Sequence, residues 1–269
     1  MSAASFVLQK SICLYTLEPM TQTSWGKVST QYDDLLERGK DTYQGKLILP
    51  NLKRLLQIKK GERVLDLACG QGFFAERLMT PGALMDGVDI SKEMIALARS
   101  RKTSVRYEVA NAVSLPFESG VFDKIFSVLA VQNFEDLSGS FKEAARVIKE
   151  KGLFLMVINH PAFRNPKFSS WGFDDKKGVQ YRRVDRYLSE SKVEIEMNPG
   201  LKNDLQTISF HRPLQAYAKA LANAGFVIAR IEEWTSHRLS EPGPRKAAED
   251  RARKEFPLFM MIEAIKIHK

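Results

Sequence analysis

Residues 61–74 read GERVLDLACGQGFF, and this stretch decides the fold. Val64, Leu65, Leu67 and Ala68 form an apolar run too short for a helix and branched enough for a buried strand of a parallel sheet. A tight turn follows. Gly70 and Gly72 flank Gln71 where the chain must reverse into a helix beginning near Phe73, and glycine admits both unusual backbone angles and a ligand against bare main chain. Asp66 lies inside the apolar strand, four residues before the first glycine. A carboxylate there is costly unless it shapes the loop or meets a cation.

Moving outward, a dinucleotide site of the form GxGxxG would place its third glycine at position 75, which here is Ala75. Read instead as DxxxGxG, Asp66, Gly70 and Gly72 resemble the first motif of the class I S-adenosylmethionine-dependent methyltransferases. The next strand, 83–88, is followed by Asp89, seventeen residues beyond Gly72. An acid there can accept both ribose hydroxyls, a role it has in that family and also in NAD enzymes. The resemblance implies an α/β fold with a Rossmann-like, doubly wound seven-stranded sheet, an antiparallel final strand and an inserted lid. It also implies S-adenosylmethionine as cofactor and S-adenosylhomocysteine as product.

The 269 residues fit one large domain or one domain with an elaborated lid. A hydrophobic share of 44% with 27% charged residues is ordinary for a soluble globular chain, and no apolar run approaches a membrane span. The two cysteines, Cys13 and Cys69, form no disulfide framework, which points to a reduced, cytoplasmic compartment. The net charge of +9 suits an RNA partner, but it is spread along the chain, with its richest patch at 176–186, so RNA is the lesser reading. The expected organisation is a leader over 1–24 with no assigned element, cap helices over 25–60, a cofactor-binding core over 61–160, a substrate lid over 161–208 and a completion of the core over 209–269.

Along the chain, 25–36 has helical spacing and resembles the cap helix of small-molecule methyltransferases, in which Tyr32 would lie over the methionine part of the cofactor or pack on the core. A helix over 43–56 leads to the first strand. After Asp89 and Ile90, Ser91 caps a helix over 92–101 that carries Met94 toward ribose, base or core. A strand over 105–109 leads to Asn111 and Ala112. The family usually has Asp-Ala there, and the Asn111 amide oxygen still accepts a hydrogen bond from the adenine amino group. A fourth strand runs over 124–129. At its end the resemblance puts Leu129 against the cofactor and Gln132 and Asn133 toward the acceptor. The Asn/Asp-Pro-Pro-aromatic box of adenine or glutamine amino methyltransferases is absent. A helix over 140–150 and a strand over 153–158 follow.

The chain then leaves the pattern. Residues 159–206 read as a Trp171 loop, strands over 179–188 and 192–197, and a Pro199-Gly200 turn. An insertion after a strand's carboxyl end lies over the ligand crevice of an open α/β sheet, which makes Trp171 a candidate substrate contact. A helix over 212–224, a strand over 226–233, a mobile connection over 240–253 and a strand over 258–267 complete the scaffold. Phe210-His211-Arg212-Pro213 and the closing phrase PLFMMIEAIK resemble the type 11, quinone-biosynthesis-like subgroup.

Cofactor contacts are thus expected from Tyr32, Asp66, Ala68, Cys69, Gly70, Gln71, Gly72, Asp89, Ile90, Met94, Asn111, Ala112 and Leu129. The chemistry implied is an in-line displacement at the methyl group, with oxygen or nitrogen of a small molecule as acceptor. His160 and His211 are the candidate general bases, and no histidine has metal-ligand spacing. An RNA or protein methyltransferase, a noncatalytic cofactor-binding protein and an NAD enzyme are the alternatives, and oligomeric state is not readable.

Overall fold

A computed structural model describes residues 41–196 and 206–267. The expected cap helix with Tyr32 lies outside the described residues.

A π-helical turn, Gln44–Ile48, runs into α1, Leu49–Leu56. The core then alternates β1 (Arg63–Leu67), α2 (Phe73–Leu78), β2 (Leu84–Asp89), α3 (Lys92–Ser100), β3 (Arg106–Val109), β4 (Phe122–Val128), α4 (Leu137–Val147) and β5 (Ile148–Asn159). Two antiparallel hairpins follow, β6 (Ser169–Asp174) with β7 (Val179–Val184) and β8 (Ser191–Glu196) with β9 (Gln206–His211). The chain closes with α5 (Leu214–Asn223), β10 (Phe226–Trp234), α6 (Lys246–Glu255) and β11 (Phe259–Lys266).

The main sheet has seven strands in the order β10-β11-β5-β4-β1-β2-β3. β1 to β5 are mutually parallel, and β11 inserts antiparallel between β5 and β10. Both faces are covered, so successive strand residues serve opposite layers. Val64, Leu155 and Val157 pack with α1, α2 and α3, whereas Leu65, Phe154, Met156 and Ile158 pack with α4 and α5. This is the continuous apolar reading that a doubly covered parallel strand requires. The strand order reverses between β1 and β4, and a crevice opens outside their carboxyl ends.

Three local expectations are corrected. The helix expected to reach residue 150 stops at Val147, and β5 begins at once at Ile148, with Lys151 at φ 61° inside an irregular start that pairs Phe122 with Ile148. The Trp171 loop is strand β6. Its register sets Gly172 opposite Tyr181, whose ring lies over the bare glycine so closely that an added Cβ would come within 2.3 Å of it. The connection expected to be mobile over 240–253 contains α6. Ala248 and Ala252, one turn apart, bury its inner face, while Lys246 and Asp250 pair along it.

Candidate functional site

The strand ends flanking the crevice carry backbone strain. Ala68, just past β1, has φ 62° and Leu129, just past β4, has φ 53°. Non-glycine residues reach this left-handed region at a cost of about 1–3 kcal/mol and cluster where a site over-determines them. Each is pinned by the neighbouring strand. The Cys69 N–H donates to Val88 O and the Leu129 N–H to Val157 O, and Gln132 Nε2 donates to the Leu129 carbonyl at 2.7 Å.

Asp66 and Asp89 face each other across the glycine turn. Asp66 is 2% exposed, receives the Ala75 N–H, and leaves Oδ2 with no hydrogen-bond partner. Burial pushes its carboxyl well above the usual carboxylate range, and repulsion from Asp89 adds to the shift. Asp89 accepts the Gly70 N–H on Oδ2 and the Ser91 N–H on Oδ1, both at 2.9 Å. Burial raises its pKa in spite of these bonds. Cys69 is a free, buried thiol whose pKa burial raises strongly, so it is not a poised nucleophile.

Two adjoining cavities fill the crevice and share Ala68, Asp89, Ile90, Asn133 and Phe134. The first, about 130 Å³, lies at the glycine turn and adds Asp66, Cys69, Gly70, Gln71 and Met94 to an apolar wall of Phe73, Phe74, Val128 and Ala130. The second, about 410 Å³, extends past Asn111 and Ala112 toward Lys192, Ile208 and Phe210 of the second hairpin. Asn111 Oδ1 accepts the Val113 N–H at 3.2 Å, which leaves the amide one further lone pair.

Most of the expected contacts therefore come together, but Gly72 and Leu129 do not line either cavity. Gly72, at φ 85°, is required beneath Tyr107, because a Cβ there would lie 2.3 Å from that hydroxyl. Gln132 and His211 line a separate small recess behind the crevice, together with Arg164, Ser209 and Arg212. His211 Nε2 donates to Tyr187 O at 2.8 Å, which leaves Nδ1 as the unprotonated nitrogen in the neutral ring. His160 has both nitrogens engaged: Nε2 meets Glu233 Oε1 at 2.7 Å, and Nδ1 accepts the Ala162 and Phe163 N–H groups. Burial lowers its pKa, against the pull of Glu233. It lines none of these cavities. Trp171 lies on the first hairpin, 42% exposed, with Arg182 over its ring at 5.0 Å and Phe256 at its edge. The basic stretch on the same hairpin is partly neutralised, since Arg183 pairs with Asp185 and Lys177 with Asp174.

The lining residues Phe73, Phe74, Val128, Ala130 and Phe134 were not singled out from sequence. Apolar residues next to a glycine turn or a strand end carry the same local signal as core. Here they close the cleft, with Phe73 and Phe74 edge-to-face at 5.0 Å.

The orphaned Asp66 Oδ2, the orphaned Gln71 Nε2 in the same wall and the two-oxygen Asp89 suit a cationic amino acid joined to a ribose. No helix among the described residues is long and apolar enough to cross a membrane. A methyltransferase-domain family model matches residues 65–156. The chain is similar to demethylmenaquinone methyltransferase of Chlorobaculum tepidum, 30% identical over 230 residues that cover 84% of this chain and 92% of that protein. The protein of the same name from Chlorobaculum parvum is 31% identical over 204 residues, 74% of this chain and 81% of that one. A solved S-adenosylmethionine-dependent methyltransferase from Mesorhizobium loti aligns with TM-score 0.66 at 27% identity, covering 84% of this chain and all 100% of its own. The cyclase SpnF aligns with TM-score 0.56 at 18% identity over 93% of this chain and 98% of its own, so the fold alone does not dictate methyl transfer.

Proposed function

Because the chain belongs to the class I S-adenosylmethionine-dependent methyltransferases, we propose that it methylates a small aromatic acceptor of the quinol or phenol type. The observation that carries this reading is the apolar wall of Phe73, Phe74, Val128, Ala130 and Phe134 at the glycine-turn end of the crevice, which suits a flat ring. The name shared by the two Chlorobaculum relatives supports the same acceptor class.

When bound, S-adenosylmethionine supplies a methyl carbon already activated by its sulfonium. The chain's own residues hold and orient. Asp89 accepts the ribose hydroxyls while it fixes Gly70, and Asn111 and Ala112 meet the adenine edge. Ile90 and Met94 flank ribose and base, and the backbone of Ala68, Cys69 and Gly70, with Gln71 beside it, cradles the amino-acid part. Asp66 offers its free oxygen to the ammonium. In this reading Gly72 and Leu129 act through the backbone geometry they set. The phenyl rings and the second inserted hairpin, which lines the larger cavity, exclude water from the transfer.

Of the two histidines, His211 is the better candidate to take a proton from an acceptor hydroxyl, since Nε2 is the nitrogen committed to Tyr187 O and the residue lines the recess. His160, with both nitrogens engaged, holds the turn after β5. The unpaired Cys69 suits a reduced cytoplasmic setting.

The test is an initial-rate assay of S-adenosylhomocysteine release with reduced naphthoquinones, simple phenols and bulk RNA as separate acceptors. Release dependent on the aromatic acceptors supports the reading. Release with RNA alone, through the basic hairpin, overturns it.

A further inference from the structure

Behind the crevice, the end of β9, the turn after β5 and the 3₁₀ turn Val131–Asn133 line a half-open recess of about 20 Å³. That is room for one oxygen-sized group, since a water needs roughly 10–15 Å³. It adjoins the crevice through shared parts. Phe210 lines both the recess and the larger cavity, and Gln132 is followed directly by Asn133 and Phe134 of the cleft wall.

Two buried polar atoms in this lining lack partners. Arg212 is 7% exposed. Its Nη2 donates to the carbonyls of Phe134 and Glu135 at 2.8 and 3.0 Å and the buried Tyr217 hydroxyl of the same lining lies against the guanidinium, while Nη1 makes no hydrogen bond of good geometry. Gln132 is also 7% exposed. Its Nε2 is committed to Leu129 O, which leaves Oε1 without a donor. One atom needs an acceptor and the other a donor. Leaving each buried and unpaired costs about 1–3 kcal/mol. A hydroxyl can serve both: its oxygen accepts from Arg212 Nη1 and its proton goes to Gln132 Oε1.

The charge around the recess selects among hydroxyls. Arg164 also lines it, and the described carboxylate paired with Arg212 is that of Glu190, 3.8 Å from Nε and largely exposed. Two guanidiniums against one distant carboxylate favour a hydroxyl that gives up its proton readily, and a phenol is far more acidic than an aliphatic alcohol. We propose that Arg212 and Gln132 form a subsite for a ring hydroxyl of the acceptor. This rests on the aromatic-acceptor reading above and adds the group by which the ring is oriented.

The experiment is calorimetric titration of the protein saturated with S-adenosylhomocysteine, using 1-naphthol and 1-methoxynaphthalene as the probes. The subsite predicts that the naphthol binds roughly tenfold or more tightly than its ether, because the ether offers no proton to Gln132. Q132M and R212K should each reduce that preference toward unity, measured in protein that still melts cooperatively and is saturated with S-adenosylhomocysteine at a concentration set from each variant's own titration, which also shows that they fold. Equal affinity of the two probes in the wild-type protein overturns the proposal, because the recess then holds only water. So does a preference undiminished in both variants. If neither probe binds, the aromatic-acceptor reading fails and the subsite fails with it.

Discussion

Substituting Asp89 by alanine separates what this carboxylate does for the loop from what it does for the cofactor. In the free protein its two oxygens accept the Gly70 and Ser91 N–H groups at 2.9 Å each. Losing a buried acceptor costs about 1–3 kcal/mol per orphaned donor. Two effects oppose that cost. The Gly70 N–H lies beside the open crevice, where water can replace the lost oxygen. The carboxylate is also poorly solvated, since burial holds its pKa above the ordinary value even with both hydrogen bonds made. The net change in folding stability of D89A should therefore stay within about 1–2 kcal/mol. Cofactor binding has no such compensation. Ribose hydroxyls that lose a charged acceptor lose about 1.5–3 kcal/mol, which raises Kd from roughly tenfold to somewhat more than a hundredfold. Titration with S-adenosylhomocysteine measures the second number and thermal unfolding the first. Unchanged affinity in a D89A protein that melts like the wild type would refute the ribose assignment and the placement of the cofactor in this crevice.

Other outcomes follow from the same turn. Asp66→Asn keeps an acceptor for the Ala75 N–H, removes a buried charge and relieves its repulsion with Asp89, so the free protein should melt at or above the wild-type temperature while S-adenosylmethionine binds about tenfold more weakly. A lower melting temperature with unchanged affinity would contradict this. Because the folded-state pKa of Asp66 is raised, the unfolded chain ionises first as pH climbs. Stability of the free protein should then fall as pH rises from the ordinary carboxylate value to the elevated one, and level off above it. Cofactor binding should release protons in that window, so its affinity should rise with pH there, as titrations in buffers of different ionisation enthalpy would show. Gly72→Ala forces a left-handed backbone and a contact of 2.3 Å with the Tyr107 hydroxyl, so it should destabilise by about 2–4 kcal/mol by chemical denaturation.

Sequence and structure agree wherever the cause is local. An apolar run buried on both faces marks β1, alternation marks the edge strand β3, the glycine spacing marks the turn, and Asp89 ends β2 because the ligand crevice lies at the strand's carboxyl end. What escaped the sequence depends on distant partners. Gly72 reads as a place for a ligand, yet the group it makes room for is Tyr107 on β3. Trp171 reads as a loop because a strand containing Ser169, Ser170 and Gly172 has little intrinsic preference, and only pairing with Tyr181 and Arg182 fixes it. The connection over 240–253 reads as mobile, and its helix is set by two alanines that dock on the rest of the fold. Arg212 stood in the sequence only as part of the phrase at 210–213, with no sign of its role, since the carbonyls it holds are those of Phe134 and Glu135, 78 and 77 residues earlier in the chain.

The central claim is that a methyl group passes from S-adenosylmethionine to a small aromatic hydroxylated acceptor. The most direct test is a single reaction containing deuteromethyl-labelled cofactor, a reduced naphthoquinone and bulk RNA in competition, with both fractions analysed by mass spectrometry. The account predicts label in the naphthoquinol fraction, matched one for one by S-adenosylhomocysteine. Label confined to RNA, or cofactor bound with no transfer to either, would contradict it.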